Sequence, residues 1–238
     1  EELFTEQIRW VPNRIAWENY AHALETFPFW LYVRNTLLIA GLTVVGTLLS
    51  CLPPAYAFAR LRWHGRGFWF WVMLSTLMLP PQVTLLPVFL LFRTLGWVDT
   101  FLPLVVPAFL GNAFLIFMLR QFFLTLPQEL IDAARLDGCS EWTILWRLVA
   151  PTAKPAVATV ALFSFVWAWT DFMNPLIYLN DSSKFTLAVG LQYFVGRHGE
   201  QWNLLMAAAT VVTAPLVLLF LLTQRAYVRG ITLTGLKG

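Results

Sequence analysis

Charge is what this sequence has least of: 12% of its 238 residues are Asp, Glu, Lys or Arg, where a soluble domain carries roughly a quarter. With 58% hydrophobic residues and a mean hydropathy of +0.66, the chain has more apolar surface than a water-facing core of this size can use. Cysteine is scarce too. Cys51 lies in an apolar run and Cys139 in a polar segment, which argues against a disulfide framework. His22, His64 and His198 fall in separate segments and offer no metal-ligand spacing. No glycine-rich loop ends in Lys-Ser or Lys-Thr, so the chain lacks a phosphate cradle. A paired nucleophile and base is missing, and Asp171 is the sole acidic residue in the long apolar runs, which sets aside an intramembrane hydrolase. The net charge of +3 calls for no nucleic-acid partner.

What is present is apolar length. A bilayer core needs about 20 consecutive, mainly apolar residues to cross it as a helix. Five stretches qualify: Asn35 to Ala59, Gly67 to Phe92, Thr100 to Leu119, Pro155 to Leu179 and Trp202 to Thr223. The expected fold class is therefore an all-α polytopic transmembrane bundle. Twelve Trp and twenty Phe agree with it, since aromatic rings collect at the lipid interfaces. Prolines recur inside the stretches, at Pro53, Pro54, Pro80, Pro81, Pro87, Pro107, Pro175 and Pro215. They are read as kinks that neighbouring helices or cavity water can satisfy. One long polar insertion, Gln121 to Lys154, belongs at an aqueous face.

Lys and Arg favour the cytoplasmic side of short loops. Alternation puts Arg60, Arg62, Arg66, the insertion and the C-terminal tail on one side, with ten cations against four acidic residues. The opposite side holds six cations against eight acidic residues. The insertion and the C-terminus are thus expected in the cytoplasm, and the chain in a plasma membrane. Residues 1–30 then form an extracytoplasmic segment, 31–226 the transmembrane domain with a loop at 127–151, and 227–238 a cytoplasmic tail. A start outside the cell without a signal peptide leads to the expectation of an earlier span and six in all.

Within the insertion, Pro127 suits a first helical turn, and Glu129 and Asp132 complement its positive end. Gly138 supplies a left-handed stop. Ser140 can cap a second helix that Pro151 ends. Leu130, Ala133, Ala134 and Leu136 give the first helix a small apolar side, suited to the groove of another protein.

Asp132-Ala133-Ala134, then Gly138 four residues on, then Leu148, Ala150 and Pro151, resembles the cytoplasmic signature of ABC importer permeases, Glu-Ala-Ala, x3, Gly, x9, Ile, x, Leu-Pro. Asp132, Leu148 and Ala150 are its mild departures. Arg120-Gln121-Phe122-Phe123, the segment Trp167 to Leu176 and the tail Gln224 to Gly238 are similar to the carbohydrate-uptake group of those permeases, of the maltose and glycerol-phosphate type. The resemblance implies an ATPase-coupling role for Asp132, Ala133, Ala134, Arg135, Leu136, Asp137, Gly138 and Pro151. It also implies a second homologous permease, two ATPase subunits that hold ATP and magnesium, and an extracytoplasmic solute-binding protein. No cofactor is expected on this chain. An amino-acid or peptide permease would share the signature, but would be expected to differ around Trp169 to Pro175.

Asp171 is the costliest residue in the apolar runs, since an Asp at a membrane helix centre costs about 2.5 to 3.5 kcal/mol. Counted at 1.5 Å per residue it lies about 24 Å from Pro155, in the outer part of its span. Trp167, Trp169, Asn174 and Tyr178 stand near it in sequence, with the aromatic and amide chemistry that stacks on sugar rings and bonds hydroxyls. These five are the candidate solute pathway, with an interfacial Asp inside a Trp belt as the alternative.

Overall fold

A computed structural model describes residues 16–195 and 201–232, the stretch 224–232 through its backbone alone. Every regular element among these residues is helical. A short α1 (Glu18–Glu25) leads into α2 (Phe29–Arg60). At about 1.5 Å per residue, the 32 residues of α2 reach about 48 Å, more than the roughly 30 Å of hydrocarbon they must cross. Among the described residues, three helices are long and apolar enough to span a membrane, and up to five if each of two bent pairs counts as one span.

The expected second span is not straight. Helix α3 (Arg66–Ser75) passes through a tight turn at Thr76–Met78 and meets α4 (Pro81–Thr94) at 96°. Pro80 and Pro81 are the cause: neither donates a backbone hydrogen bond, and a residue preceding proline is pushed out of the helical region. Leu79 and Pro80 accordingly sit at ψ 116° and 135°.

The third span is broken and runs further than expected. Helix α5 (Leu102–Val105) and a 3-10 turn at Val106–Leu110 end at Gly111, with φ 91°. Asn112 then caps α6 (Ala113–Thr125) by accepting from the Leu115 amide at 3.1 Å. Arg120 therefore sits inside α6 rather than in the loop. Its guanidinium lies 4.2 Å over the Phe70 ring, and its Nε donates to the Phe58 carbonyl at 3.2 Å.

Beyond α7 (Gln128–Leu136), α8 (Glu141–Thr143), a π-helical stretch Ile144–Val149 and α9 (Ala150–Thr152) run on to an 85° bend. Pro151 is therefore inside the last turn, and Ala153 marks the end. The fourth span, α10 (Lys154–Thr170), stops before Asp171, and α11 (Met173–Tyr178) follows the break. Asp171 is thus at a helix junction and not at a helix centre. A short α12 (Leu187–Gly190) precedes α13 (Trp202–Thr232), which contains Pro215.

Side chains pack in two clusters, one at each end of the bundle. The first gathers Cys51, Leu52, Tyr56, Leu119, Phe123, Ile131, Leu145 and Val160 from α2, α6, α7, the π-helical stretch and α10. The second gathers Phe27, Tyr32, Trp169, Leu187, Phe194 and Ala208 near α1, α12 and the start of α13. Helices α2 and α10 contribute to both. Lipid tails are as apolar as leucine, so these clusters hold by close contact rather than by a drive away from water.

At the end bearing the second cluster, Asp99 staples two loops. It takes the left-handed φ of 61°, and its carboxylate accepts from the Asn180 and Asp181 amides at 3.0 Å and from Lys184 Nζ at 2.7 Å. The bond from Lys184 and then the two amides hold its pKa down at about 2. Since the folded value is depressed, the staple's contribution is complete above the ordinary aspartate range, about 3.9, and is lost as pH falls through about 2. Thermal melts of detergent-solubilised protein should show a smaller acid loss in Asp99→Asn over that window than in the parent.

Gly190 fits beneath Tyr32, where an added β-carbon would lie 2.6 Å from Cδ2 and 3.1 Å from Phe27 Cε2. Both rings are buried, so neither can swing away. Overpacking of this kind costs about 1–3 kcal/mol. Gly190→Ala should therefore lower the melting temperature in detergent. Gly41→Ala, with nothing within 4 Å, should not.

Candidate functional site

Two places carry the sequence-derived residues: the 127–151 loop and the α10–α11 junction. In the loop, α7 opens after Pro127, and Gly138 takes φ 78°. That left-handed turn returns the chain to Ser140, whose hydroxyl caps α8 by accepting from the Thr143 amide at 3.2 Å. Ile131 is fully buried in the first cluster, and Ala134 packs partly against it. Ala134 thus faces inward and is not on the free side of the helix. The free side holds Glu129, Leu130, Asp132, Ala133, Leu136 and Asp137, with Leu136 89% exposed. Leu136 is thus an apolar side chain fully in the open amid three acidic residues, Glu129, Asp132 and Asp137.

Polar contacts fix α7 at both ends. At its start, Arg60 Nη1 donates to Gln128 Oε1 at 2.7 Å. The same guanidinium donates to the Phe123 carbonyl, at 3.0 Å from Nε and 2.6 Å from Nη2, and to the Leu126 carbonyl. At its end, Arg135 donates to Glu141 Oε1 at 2.9 Å and to Asp132 Oδ1 at 3.1 Å. The Tyr56 hydroxyl donates to Glu141 Oε2. The bond to Glu141 raises the Arg135 pKa further still, so this cation is permanent. From the sequence Arg60 was read only as a cation on the cytoplasmic side, and Tyr56 was not singled out. Their i, i+4 spacing at a helix end was the available signal.

The α10–α11 junction divides the five candidate solute residues. Asp171 and Trp167 line a cavity of about 160 Å³ together with Ile39, Thr43, Leu104, Ala168 and Pro175. Trp167 is 47% exposed and stacks on Phe163, with centroids 5.9 Å apart. Asn174 is exposed and pairs with Asp171: its amide nitrogen donates to Oδ1 at 3.2 Å and its Nδ2 to Oδ2 at 2.8 Å. Trp169 and Tyr178 do not join them. Trp169 is buried in the second cluster, with Nε1 donating to the Val212 carbonyl at 3.1 Å. Tyr178 is buried between Phe89 and Phe92. The cavity gains Thr43, whose buried hydroxyl has no hydrogen-bond partner among the described residues. Thr43, Thr47 and Ser50 recur at i, i+4 and i+7 on α2, a polar stripe in an apolar span that could have flagged it. No cluster of three metal-ligating side chains occurs among the described residues.

Comparison with known proteins matches residues 32–233 to the binding-protein-dependent transport system inner membrane component family. The chain is 33% identical to the arabinooligosaccharides transport system permease protein AraQ of Halalkalibacterium halodurans, over 95% of this chain and 81% of that protein. It is 31% identical to the sn-glycerol-3-phosphate transport system permease protein UgpE of Yersinia pestis, over 97% of this chain and 84% of that one. Among solved structures, a bacterial ABC transporter involved in the import of the acidic polysaccharide alginate aligns with a TM-score of 0.81 at 25% identity, covering 94% of this chain and 84% of its own. The chain belongs to this family of inner-membrane transport components, which are permeases and not enzymes.

The left-handed turn at Gly138 is the least substitutable point of the loop, because a residue with a β-carbon pays roughly 1–2 kcal/mol there. Gly138→Val should lower transport in the assembled importer more than it lowers membrane insertion, scored by solute uptake against the amount of folded permease.

Proposed function

We propose that this chain is one of two permease subunits of a binding-protein-dependent importer for sugars or related polyols, and that α7 couples it to an ATPase subunit. The observation that carries the coupling is the free face of α7. Leu130, Ala133 and Leu136 face outward among Glu129, Asp132 and Asp137, while Ile131 anchors the opposite face. The second homologous permease completes the pathway, two ATPase subunits supply ATP and magnesium chemistry, and an external binding protein delivers solute. The surplus of Lys and Arg puts Arg62, α7 and the C-terminus in the cytoplasm. The described residues end at Thr232, so residues 233–238 of the expected 227–238 tail lie outside them, as do residues 1–15 of the expected extracytoplasmic segment.

Solute on this reading passes the cavity at Asp171, where Trp167 offers a stacking face and Thr43 a free hydroxyl. Relatives named for arabinooligosaccharides and sn-glycerol-3-phosphate favour a sugar or polyol over an amino acid or peptide.

The test is retention of the ATPase subunit on a tagged permease pair. Ala133→Trp puts bulk on the free face and Asp132→Lys reverses its charge, neither touching a buried contact of the spans. Both variants should insert and pair normally, yet retain far less ATPase and lose hydrolysis stimulated by the loaded binding protein. Full retention with full stimulation in both would remove α7 as the coupling element.

A further inference from the structure

Pro151, one of the residues to which the resemblance gives a coupling role, lies on the covalent link from α7 to α10. The structure makes that link a poor lever. Between α7 and α10 lie the Gly138 turn, a π-helical stretch and an 85° bend at Ala153. On the other side, α7 joins α6 through Leu126 and Pro127, both extended, with ψ 143° and 132°. Each covalent path thus contains a joint.

Helix α2 reaches α7 without leaving the helical conformation. It runs as one helix from Phe29 to Arg60, through Pro53 and Pro54, and its last turn and a half grips both ends of α7. Arg60 holds the start through Gln128 and the Leu126 carbonyl. Tyr56 holds the end through Glu141, which in turn holds Arg135. Two attachment points fix orientation as well as position, where one would leave α7 free to pivot. Each attachment includes a charged partner, and such hydrogen bonds are stronger than neutral ones.

At its other end the same helix lines the solute cavity with Ile39 and Thr43. Seventeen residues separate Thr43 from Arg60, about 26 Å along the helix axis. The geometry points to α2 as the transmission element: Tyr56 and Arg60 are positioning residues that make α7 and α2 move as one body, so that closure of the ATPase subunits shifts Thr43 at the cavity. Neither residue lines the cavity. The inference rests on the reading of α7 as the ATPase dock, and adds which span carries the motion.

The test needs no knowledge of the solute. In a background with Cys51→Ala and Cys139→Ser, Thr43→Cys is labelled with a small methanethiosulfonate reagent in the assembled complex, before and after trapping the ATPase subunits with ATP and vanadate. Trapping should change the labelling rate several-fold. Tyr56→Phe with Arg60→Met should abolish that change, while ATPase retention and the amount of trapped nucleotide stay at the background level. Three results overturn the inference. One is a Thr43→Cys rate that ignores trapping in the background protein. Another is a response that persists in the double variant. The third is a double variant that loses ATPase retention in proportion to its lost response, which would mean the two side chains only keep the loop folded. Failure of the docking reading looks different, since it appears as full ATPase retention in Ala133→Trp whatever Thr43→Cys reports.

Discussion

A peptide group in hydrocarbon has no water to turn to, and leaving one unpaired costs several kcal/mol. Every break in a membrane helix therefore needs a partner from somewhere else in the bundle. In this chain the breaks are many and the partners come largely from one helix. At the gap before α6, Ser50 Oγ donates to the Ala108 carbonyl at 2.8 Å, and Cys51 Sγ accepts from the Asn112 amide at 3.4 Å. At the C-terminus of α6, Arg60 takes the Phe123 and Leu126 carbonyls. At the opposite end of the bundle, Asn35 Nδ2 donates to the Ser183 and Phe185 carbonyls at 2.9 and 3.1 Å, and Thr36 Oγ1 accepts from the Leu187 amide at 2.9 Å.

This explains why α2 stays whole while its neighbours bend. A helix that supplies side chains to other elements' loose ends must hold those side chains at fixed heights, and α2 does so by staying helical through Pro53 and Pro54, each of which removes one ladder bond. Its polar residues are therefore structural necessities first. Gly46 serves the same end by geometry: a β-carbon there would meet the Phe109 ring at 2.5 Å, so its absence lets the broken segment lie against α2. Thr43, on the same polar face, lines the cavity, and its buried hydroxyl has no hydrogen-bond partner among the described residues.

The sequence made the class of fold plain, because apolar runs of spanning length admit few other readings, and the loop was equally open to view. Pro127, Gly138 and Ser140 act locally through fixed φ, left-handed φ and a short hydroxyl, and local chemistry survives without knowledge of the tertiary contacts. What failed was facing. Ala134 was grouped with Ala133 on a docking side, yet adjacent residues on a helix point about 100° apart, and Ile131 draws Ala134 toward the core. Trp169 and Tyr178 were grouped with Asp171 by nearness along the chain. The break at Asp171 ended the helical periodicity that the grouping assumed, and each ring found a buried partner elsewhere. At Pro80 and Pro81 a kink was expected, and two successive missing donors turned the chain by 96°.

The same break answers the question that Asp171 posed in the sequence. A carboxylate at a helix centre in lipid would need a counter-charge, and the long apolar runs contain no cation beside it. At a junction the carboxylate has α11 to cap, and the Asn174 side chain completes its second oxygen. Once unwinding has brought those polar groups together, the space around them no longer suits lipid, and Trp167 and Thr43 border it from either side. A polar solute leaving water must regain hydrogen bonds wherever it pauses, and in a bundle this apolar such bonds exist only where helices break or bare a hydroxyl. Helix discontinuity, costly everywhere else in the membrane, is thus the physical condition for having a transport path at all, and the intact α2 is what makes that discontinuity tolerable.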